Sequence, residues 1–386
     1  MPEKKKQHYV PKFYMKLFSN SPKTFSVLNV SDREVFPIVP YDNQCYKDYY
    51  YGKDGVWENR LAEMERNWST TIQRVLDKCT LTDEDIVLLK QFALYQRQRT
   101  IAEETHSKQV KKNVLIEASK IICANQGLKY NEDVLEEYCA QRVNETVTPA
   151  EILELAEQHI GYVRDLSVVA IEYQTEIPLV SSDTPVISIN PFYPQNIGYA
   201  SMGLIMLFPI SPHHLVVIYD KKMYPNFKGK TYVQSSNEKE VLNLNVLQLI
   251  SAEKILFGKD PSTFSFFKKS QWIARERNRN SKSICAMGTD TQKIIATSLR
   301  TVVLDCTFSF GRLPLAFLSV PFPCREAVPR IWEKEWEEKL KIKISLMDRL
   351  IEREPFMLER IGLTKKELRK GFKKMLEAAK WCWRGP

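Results

Sequence analysis

With 386 residues, 44% hydrophobic and 27% charged, the chain has the composition of ordinary globular protein and is long enough for two or three packed subdomains. A net charge of +9 favours acidic partners, though the surplus is small for this length and does not by itself establish nucleic-acid binding. The eight cysteines are scattered without a close Cys-x-x-Cys pair, which excludes a disulfide framework or a structural zinc site and points to reduced thiols in a cytoplasmic protein.

The basic start, Met1 to Lys6, is not followed by the apolar stretch of a signal peptide, and runs such as Gly203 to Phe208 are too short to span a bilayer, so no membrane association is expected. The next segment, Gln7 to Phe18, is apolar and aromatic around a lone His8, and a terminus of this kind has to dock into the fold. Phe13, Tyr14, Leu17 and Phe18 predict a short helix opened by Pro11. Phe25–Val30 and Glu34–Ile38, flanking Ser31-Asp32-Arg33, read as a hairpin, and a tyrosine-rich loop follows from Tyr46 to Tyr51.

Helical periodicity dominates from Trp57 to Tyr162, where five helices are expected. Thr82 with Asp85, and Thr148-Pro149 with Glu151, have the spacing of capping boxes. The period then switches to strands at Leu166–Tyr173, Ile177–Val180, Val186–Ile189, Leu204–Phe208 and His214–Tyr219. A helix from Glu238 to Ser251 and a strand from Lys254 to Gly258 complete this section. Beyond it, strand-like runs at Val302–Leu304 and Ala316–Val320 precede two helices, Glu326–Glu352 and Lys365–Trp381. The expected fold is α+β, with a helical block packed on a central mixed or antiparallel sheet and a mixed C-terminal extension ending in helices. Its expected divisions are 1–55 (docking segment and hairpin), 56–163 (helical block), 164–259 (central sheet with one helix) and 260–386 (extension).

The pattern His8-Tyr9-Val10-Pro11-x-Phe13-Tyr14-x-x-x-Phe18 resembles the signature of the bacterial family designated domain of unknown function 4238. Further matches follow in order: Glu58 to Glu65 on a helix, Phe92-Ala93-x-x-Gln96-x-x-Arg99-Thr100, Ser182-Asp183-Thr184-Pro185, Phe208-Pro209-Ile210-Ser211-Pro212, and Asn245 seven residues before Ala252. Each is weak alone, and their collinearity makes the resemblance specific over about the first two thirds of the chain. It implies a shared fold and a shared polar cluster, without an activity.

No P-loop, strand-linked Gly-x-Gly-x-x-Gly, Gly-x-Ser-x-Gly elbow or His-Glu-x-x-His motif occurs, which argues against the enzymes built on them. What the residues offer instead is a set drawn from separate elements. His8 titrates near neutral pH and suits acid/base work. Arg99 offers a cationic fork for phosphate, and Asp183 sits in a turn after an apolar run. If these three converge as catalytic groups, with Gln96 and Asn245 as substrate contacts, phosphodiester chemistry becomes accessible. Asp183 and Glu58 could hold Mg²⁺ through oxygen. Each residue also has a structural reading: Asp183 as a turn cap, His8 as a pin for the N-terminus, and Arg99 in a buried ion pair with Glu58 or Glu65. Ser211 with His213 and His214 suggests a nucleophile and base, and strand alternation lets at most one of the two histidines join it.

Lys268, Lys269 and Arg275, interleaved with Phe264, Phe266, Phe267 and Trp272, resemble a single-strand nucleic-acid surface, and the reading preferred for the stretch is an amphipathic helix with a solvated charged face. The function expected from the chemistry and charge is a bacterial intracellular nuclease or phosphodiesterase acting on RNA, DNA or nucleotides, in the setting of a toxin or phage-defence effector. The alternatives are a non-catalytic binding or sensor protein whose polar cluster is structural, and a binder of acidic small molecules.

Overall fold

The computed structural model describes residues 5–190, 198–201, 203–221, 224, 227 and 229–269. The chain opens with a three-residue strand β1 (Lys6–His8), which pairs antiparallel with β4 (Tyr46–Asp48), so the tyrosine-rich loop is partly a strand. Pro11, at φ −65°, stands at the N-cap of α1 (Lys12–Lys16), and the single turn that follows buries Tyr14 and Met15. The hairpin forms as β2 (Thr24–Asn29) and β3 (Val35–Pro40). Its turn is fixed by Asn29 and Asp32, whose side chains accept from the N–H groups of Ser31 and Glu34, with Arg33 left-handed at φ 62°.

Five helices follow: α2 (Val56–Leu76), α3 (Asp83–Gln98), α4 (Ile101–Asn125), α5 (Glu132–Thr146) and α6 (Pro149–His159). Both expected capping boxes are present, at Thr82 with Asp85 and Thr148 with Glu151. Strands β5 (Ser167–Tyr173), β6 (Ser181–Ser182), β7 (Ile187–Ile189), β8 (Ile205–Ser211), β9 (His214–Tyr219) and β10 (Tyr232–Ser235) come next. Helix α7 (Glu238–Ser251) and strand β11 (Ile255–Gly258) follow them.

The strands form two larger sheets where one was expected. A five-stranded sheet has the order β10-β5-β9-β8-β7, antiparallel except for β10 beside β5, and an antiparallel four-stranded sheet has the order β3-β2-β11-β6. The N-terminal hairpin is thus completed by β6 and β11, which come after the whole helical block in the chain, a long-range pairing that local pattern does not encode. The fold class is α+β.

Ile177–Val180 is not a strand, contrary to its apolar pattern. Pro178 has no N–H to give a ladder, and the other groups are claimed elsewhere. The side-chain amide of Asn245 takes the Pro178 carbonyl and the Val180 N–H, while Leu179 N–H donates to Pro212 O. Strand β10 has no strong pattern in the sequence, because an edge strand of four half-exposed residues carries little periodic signal.

A continuous core ties these parts together. Phe92 of α3 touches Phe13, Tyr14, Trp68 and Phe208, joining the N-terminal segment, two helices and the five-stranded sheet. Phe257 of β11 stacks on Phe25 at 4.9 Å and meets Phe18 edge-on. Helix α7 touches β6 of one sheet and β7 of the other and is buried nearly all round, polar residues included. Past residue 259, Phe264 and Phe267 in the 3-10 run Pro261–Lys269 join the same core. Arg33 reaches across to the Phe267 carbonyl. The strand-like runs and helices expected from 302 onward, and Arg275, lie outside the described residues.

Candidate functional site

The signature segment at residues 7–10 is held by side chains from three other elements. Gln7 Oε1 accepts from Tyr51 N–H at 2.6 Å, and its Nε2 donates to the Gly52 carbonyl. Arg99, the C-cap of α3, gives Nη2 to the His8 carbonyl at 2.5 Å, Nη1 to Glu65 Oε1 at 2.8 Å and Nε to the Tyr51 hydroxyl at 3.2 Å. Gln96, one turn earlier, donates to the Tyr9 carbonyl at 3.0 Å. Of the two glutamates expected as partners for Arg99, Glu65 makes the ion pair, while Glu58 lies near Tyr51 and helps raise its hydroxyl pKa. The guanidinium is 2% exposed, and its three contacts satisfy its planar fork.

His8 is 8% exposed, with Nε2 at 3.2 Å from the Asp42 carbonyl. Burial lowers its pKa to about 4, against the bond to Asp42, so the ring is neutral at neutral pH and donates through Nε2–H. Asp183 follows the two-residue strand β6 and spends each carboxylate oxygen on a backbone donor, Glu253 N–H at 2.9 Å and Lys254 N–H at 2.7 Å. Burial raises its pKa to about 6, outweighing those two bonds. Its charge adds to burial in raising the pKa of the Tyr9 hydroxyl and the Cys45 thiol. Asn245 is committed to residues 178 and 180. Beside it, Gln248 of α7 bonds Ser182 Oγ and the Pro185 carbonyl, so one helix grips the whole run from 178 to 185.

The signature residues therefore serve two neighbouring runs, Gln96 and Arg99 the backbone of residues 8 and 9, and Asn245 and Asp183 the segments at 178–180 and 253–254, with the Tyr14 hydroxyl bridging toward Ser181 at 2.9 Å. Their polar atoms serve mainly backbone groups. The family model described as protein of unknown function (DUF4238) matches residues 6–262, a range that contains every one of these contacts. The chain belongs to this family. No curated protein and no solved structure matches it.

A second polar set in the DUF4238 region was not singled out from sequence. Arg97 and Gln98 close α3, Glu103 opens α4, and His159 and Tyr199 face them. Arg97 Nη2 lies 3.4 Å from Glu103 Oε2, with both side chains under 5% exposed. Gln98 Nε2 is 3.4 Å from both His159 Nδ1 and the Tyr199 hydroxyl, and the two rings approach with centroids 4.7 Å apart. Burial lowers the His159 pKa and raises that of Tyr199, keeping both neutral. Among the described residues, Arg97 Nε, Gln98 Oε1 and Glu103 Oε1 are buried without a hydrogen-bond partner.

The helix break that creates this set has a legible cause. Thr100 Oγ accepts from Glu103 N–H at 3.3 Å, the Thr-x-x-Glu spacing of a capping box, and so starts α4 two residues after α3 ends. Glu103 turns its carboxylate to Arg97 instead of back to the cap. The cap spacing was readable. The partner across the fold was not.

Asp183, expected with Glu58 as a Mg²⁺ ligand, has each carboxylate oxygen accepting from one backbone N–H group. Among the described residues no three His, Cys, Asp or Glu side chains gather as metal ligands. Lys268 and Lys269 end the 3-10 run at Pro261–Lys269. Of the two adjacent histidines, His214 is the one that meets Ser211, with Nδ1 at 2.9 Å from Oγ, and Ser211 also accepts from His213 N–H within the hairpin turn. Among the described residues no helix is long and apolar enough to cross a membrane.

Proposed function

We propose that the DUF4238 region is a bacterial intracellular enzyme that acts on phosphodiester bonds in nucleic acid or nucleotides, with Arg97, Glu103 and His159 as its reactive groups. The observation that carries this reading is the buried Arg97–Glu103 pair, in which Arg97 Nε and Glu103 Oε1 have no hydrogen-bond partner among the described residues. An unmade bond to a buried polar atom costs roughly 1–3 kcal/mol, and more for charged groups, so such a set is a poor folding device and a good ligand site. Arg97 would meet the negative charge that develops on phosphorus oxygens, His159, neutral through burial, would take a proton, and Tyr199 would stay protonated to donate. In this reading His8, Arg99, Asp183, Gln96 and Asn245 hold the frame and do not touch the reacting atoms. The net charge of +9 suits a polyanionic substrate, and the setting of a toxin or phage-defence effector belongs to the same proposal.

The test is incubation of the purified protein with single- and double-stranded RNA and DNA and with dinucleotides, with Mg²⁺ and with a chelator. Turnover is expected in wild type. Loss of 10²-fold or more is expected in Arg97→Lys, which keeps a cation beside Glu103, and in His159→Gln, each retaining a single cooperative unfolding transition. Absence of cleavage with every substrate would reject the proposal. A second reading, a non-catalytic binding or sensor protein, is favoured by the bonding of all five expected site residues to backbone or structural partners. It predicts no turnover and a fall in melting temperature in each of those five variants.

A further inference from the structure

A cleft of about 360 Å³ lies at the β10 edge of the five-stranded sheet. Its lining comes from β5, β9 and β10, from Lys230 just ahead of β10, and from Lys78 just past the end of α2. None of these residues belongs to the Arg97 set. A volume of this order is at the small end of ligand pockets, the size of a mononucleotide or a sugar phosphate.

The charges in the cleft are unevenly matched. Glu172 accepts from Gln234 Nε2 at 2.7 Å and pairs with Lys78 Nζ at 2.9 Å, and these two partners, Gln234 foremost, hold its carboxyl below the ordinary range. It therefore stays ionised and is balanced by Lys78. Lys78 is itself fixed in place, left-handed at φ 54° with its N–H bonded to the Val75 carbonyl. Lys230 makes no ion pair among the described residues, so the cleft keeps an excess positive charge.

His214 adds a directed contact. Its Nδ1 is occupied by Ser211 Oγ at 2.9 Å. Its Nε2 is buried, has no hydrogen-bond partner among the described residues, and stands 3.9 Å from Glu172 Oε1, too far for a hydrogen bond. His214 lines the cleft, and its Nε2, closed off from solvent in the free protein, lacks a partner and can engage an incoming acceptor on a small shift of the ring. Ala170 and Val233, with the ring of Tyr232, supply an apolar wall for the rest of such a molecule.

We infer that this cleft binds a small phosphomonoester of mononucleotide size, its phosphate held by Lys230 and Lys78 and accepting from His214 Nε2–H. Phosphate suits the site because two lysines and a histidine from separate elements line one cleft, and together they offer donors and a net positive charge for its several acceptor oxygens and double negative charge. The inference is independent of the enzymatic proposal above, and either can fail alone.

The test is thermal melting of the full chain at constant ionic strength with AMP, inorganic phosphate or adenosine. AMP and phosphate are expected to raise the melting temperature by several degrees while adenosine does not. Both Lys230→Glu and Lys230→Ala are expected to cancel the rise while melting near wild type without ligand, and His214→Gln is expected to weaken it. No rise with AMP or phosphate overturns the inference, as does an equal rise with adenosine. An undiminished rise in both Lys230 variants also overturns it, because the anion then binds elsewhere, at Arg97 for example.

Discussion

Arg99 shows how one side chain can fix an N-terminus. It bonds a backbone carbonyl, a hydroxyl and a carboxylate that come from β1, the Tyr51 loop and α2, so its removal strands a buried acceptor from each direction. Arg99→Met is expected to cost about 3–5 kcal/mol in urea unfolding, the range for breaking a buried pair from one side, and Arg99→Lys to recover only part because one ammonium cannot reach all three. His8 and Asp183 make opposed contributions to the pH dependence of stability. The His8 pKa is lowered to about 4, so its contribution is present above about pH 6.5 and is lost as pH falls through about 4. The Asp183 pKa is raised to about 6, so burying it costs increasingly more as pH rises from about 4 to 6. Relative to wild type, His8→Gln is therefore expected to lose stability with rising pH across that window, and Asp183→Asn to gain it, as denaturant midpoints would show.

Between elements, the decisive contacts are side-chain amides standing in for strand partners. Asn245 supplies both a donor and an acceptor to residues 178 and 180, so the segment is held without a ladder. Asn245→Ala leaves two buried backbone groups unpaired, at roughly 1–3 kcal/mol each. Asn245→Asp keeps the acceptor for Val180 N–H and sets a carboxylate oxygen against the Pro178 carbonyl, and no rescue is expected. The start of α3 depends on a more local device: Thr82 and Asp85 cap each other, and Arg74 holds Asp85 from α2. Thr82→Ala is expected to cost about 1 kcal/mol in equilibrium unfolding, the usual worth of such a cap.

Across the whole molecule, Phe92 is where the parts of the core meet, since its ring contacts come from the N-terminal helix, α2 and β8. Phe92→Ala is expected to cost about 3–5 kcal/mol and to lower a single unfolding transition as one step. Two separated transitions on calorimetry would show that the helical block and the sheets unfold independently, contrary to the shared core. That core also explains why a division of the chain at residue 259 does not follow the packing. Phe264 and Phe267 are as buried as the strands they cover, although the stretch that carries them reads as the start of a basic extension.

Local chemistry determined a good deal of this protein from sequence alone: the five helices and the caps of two of them, the N-terminal hairpin, α7 and β11, and family membership through a collinear set of short motifs. These depend on contacts between near neighbours in the chain, whose spacing is written in the residue order. Only the tertiary structure decided that the hairpin belongs to a sheet with β11 and β6, and that an apolar run at 177–180 is not a strand. It likewise decided that Arg99 and Gln96 grip the signature backbone, while their neighbour Gln98 meets His159 and Tyr199 from far along the chain. Each of these turns on which distant group meets a given donor or acceptor, and periodicity carries no information about partners far away in the chain.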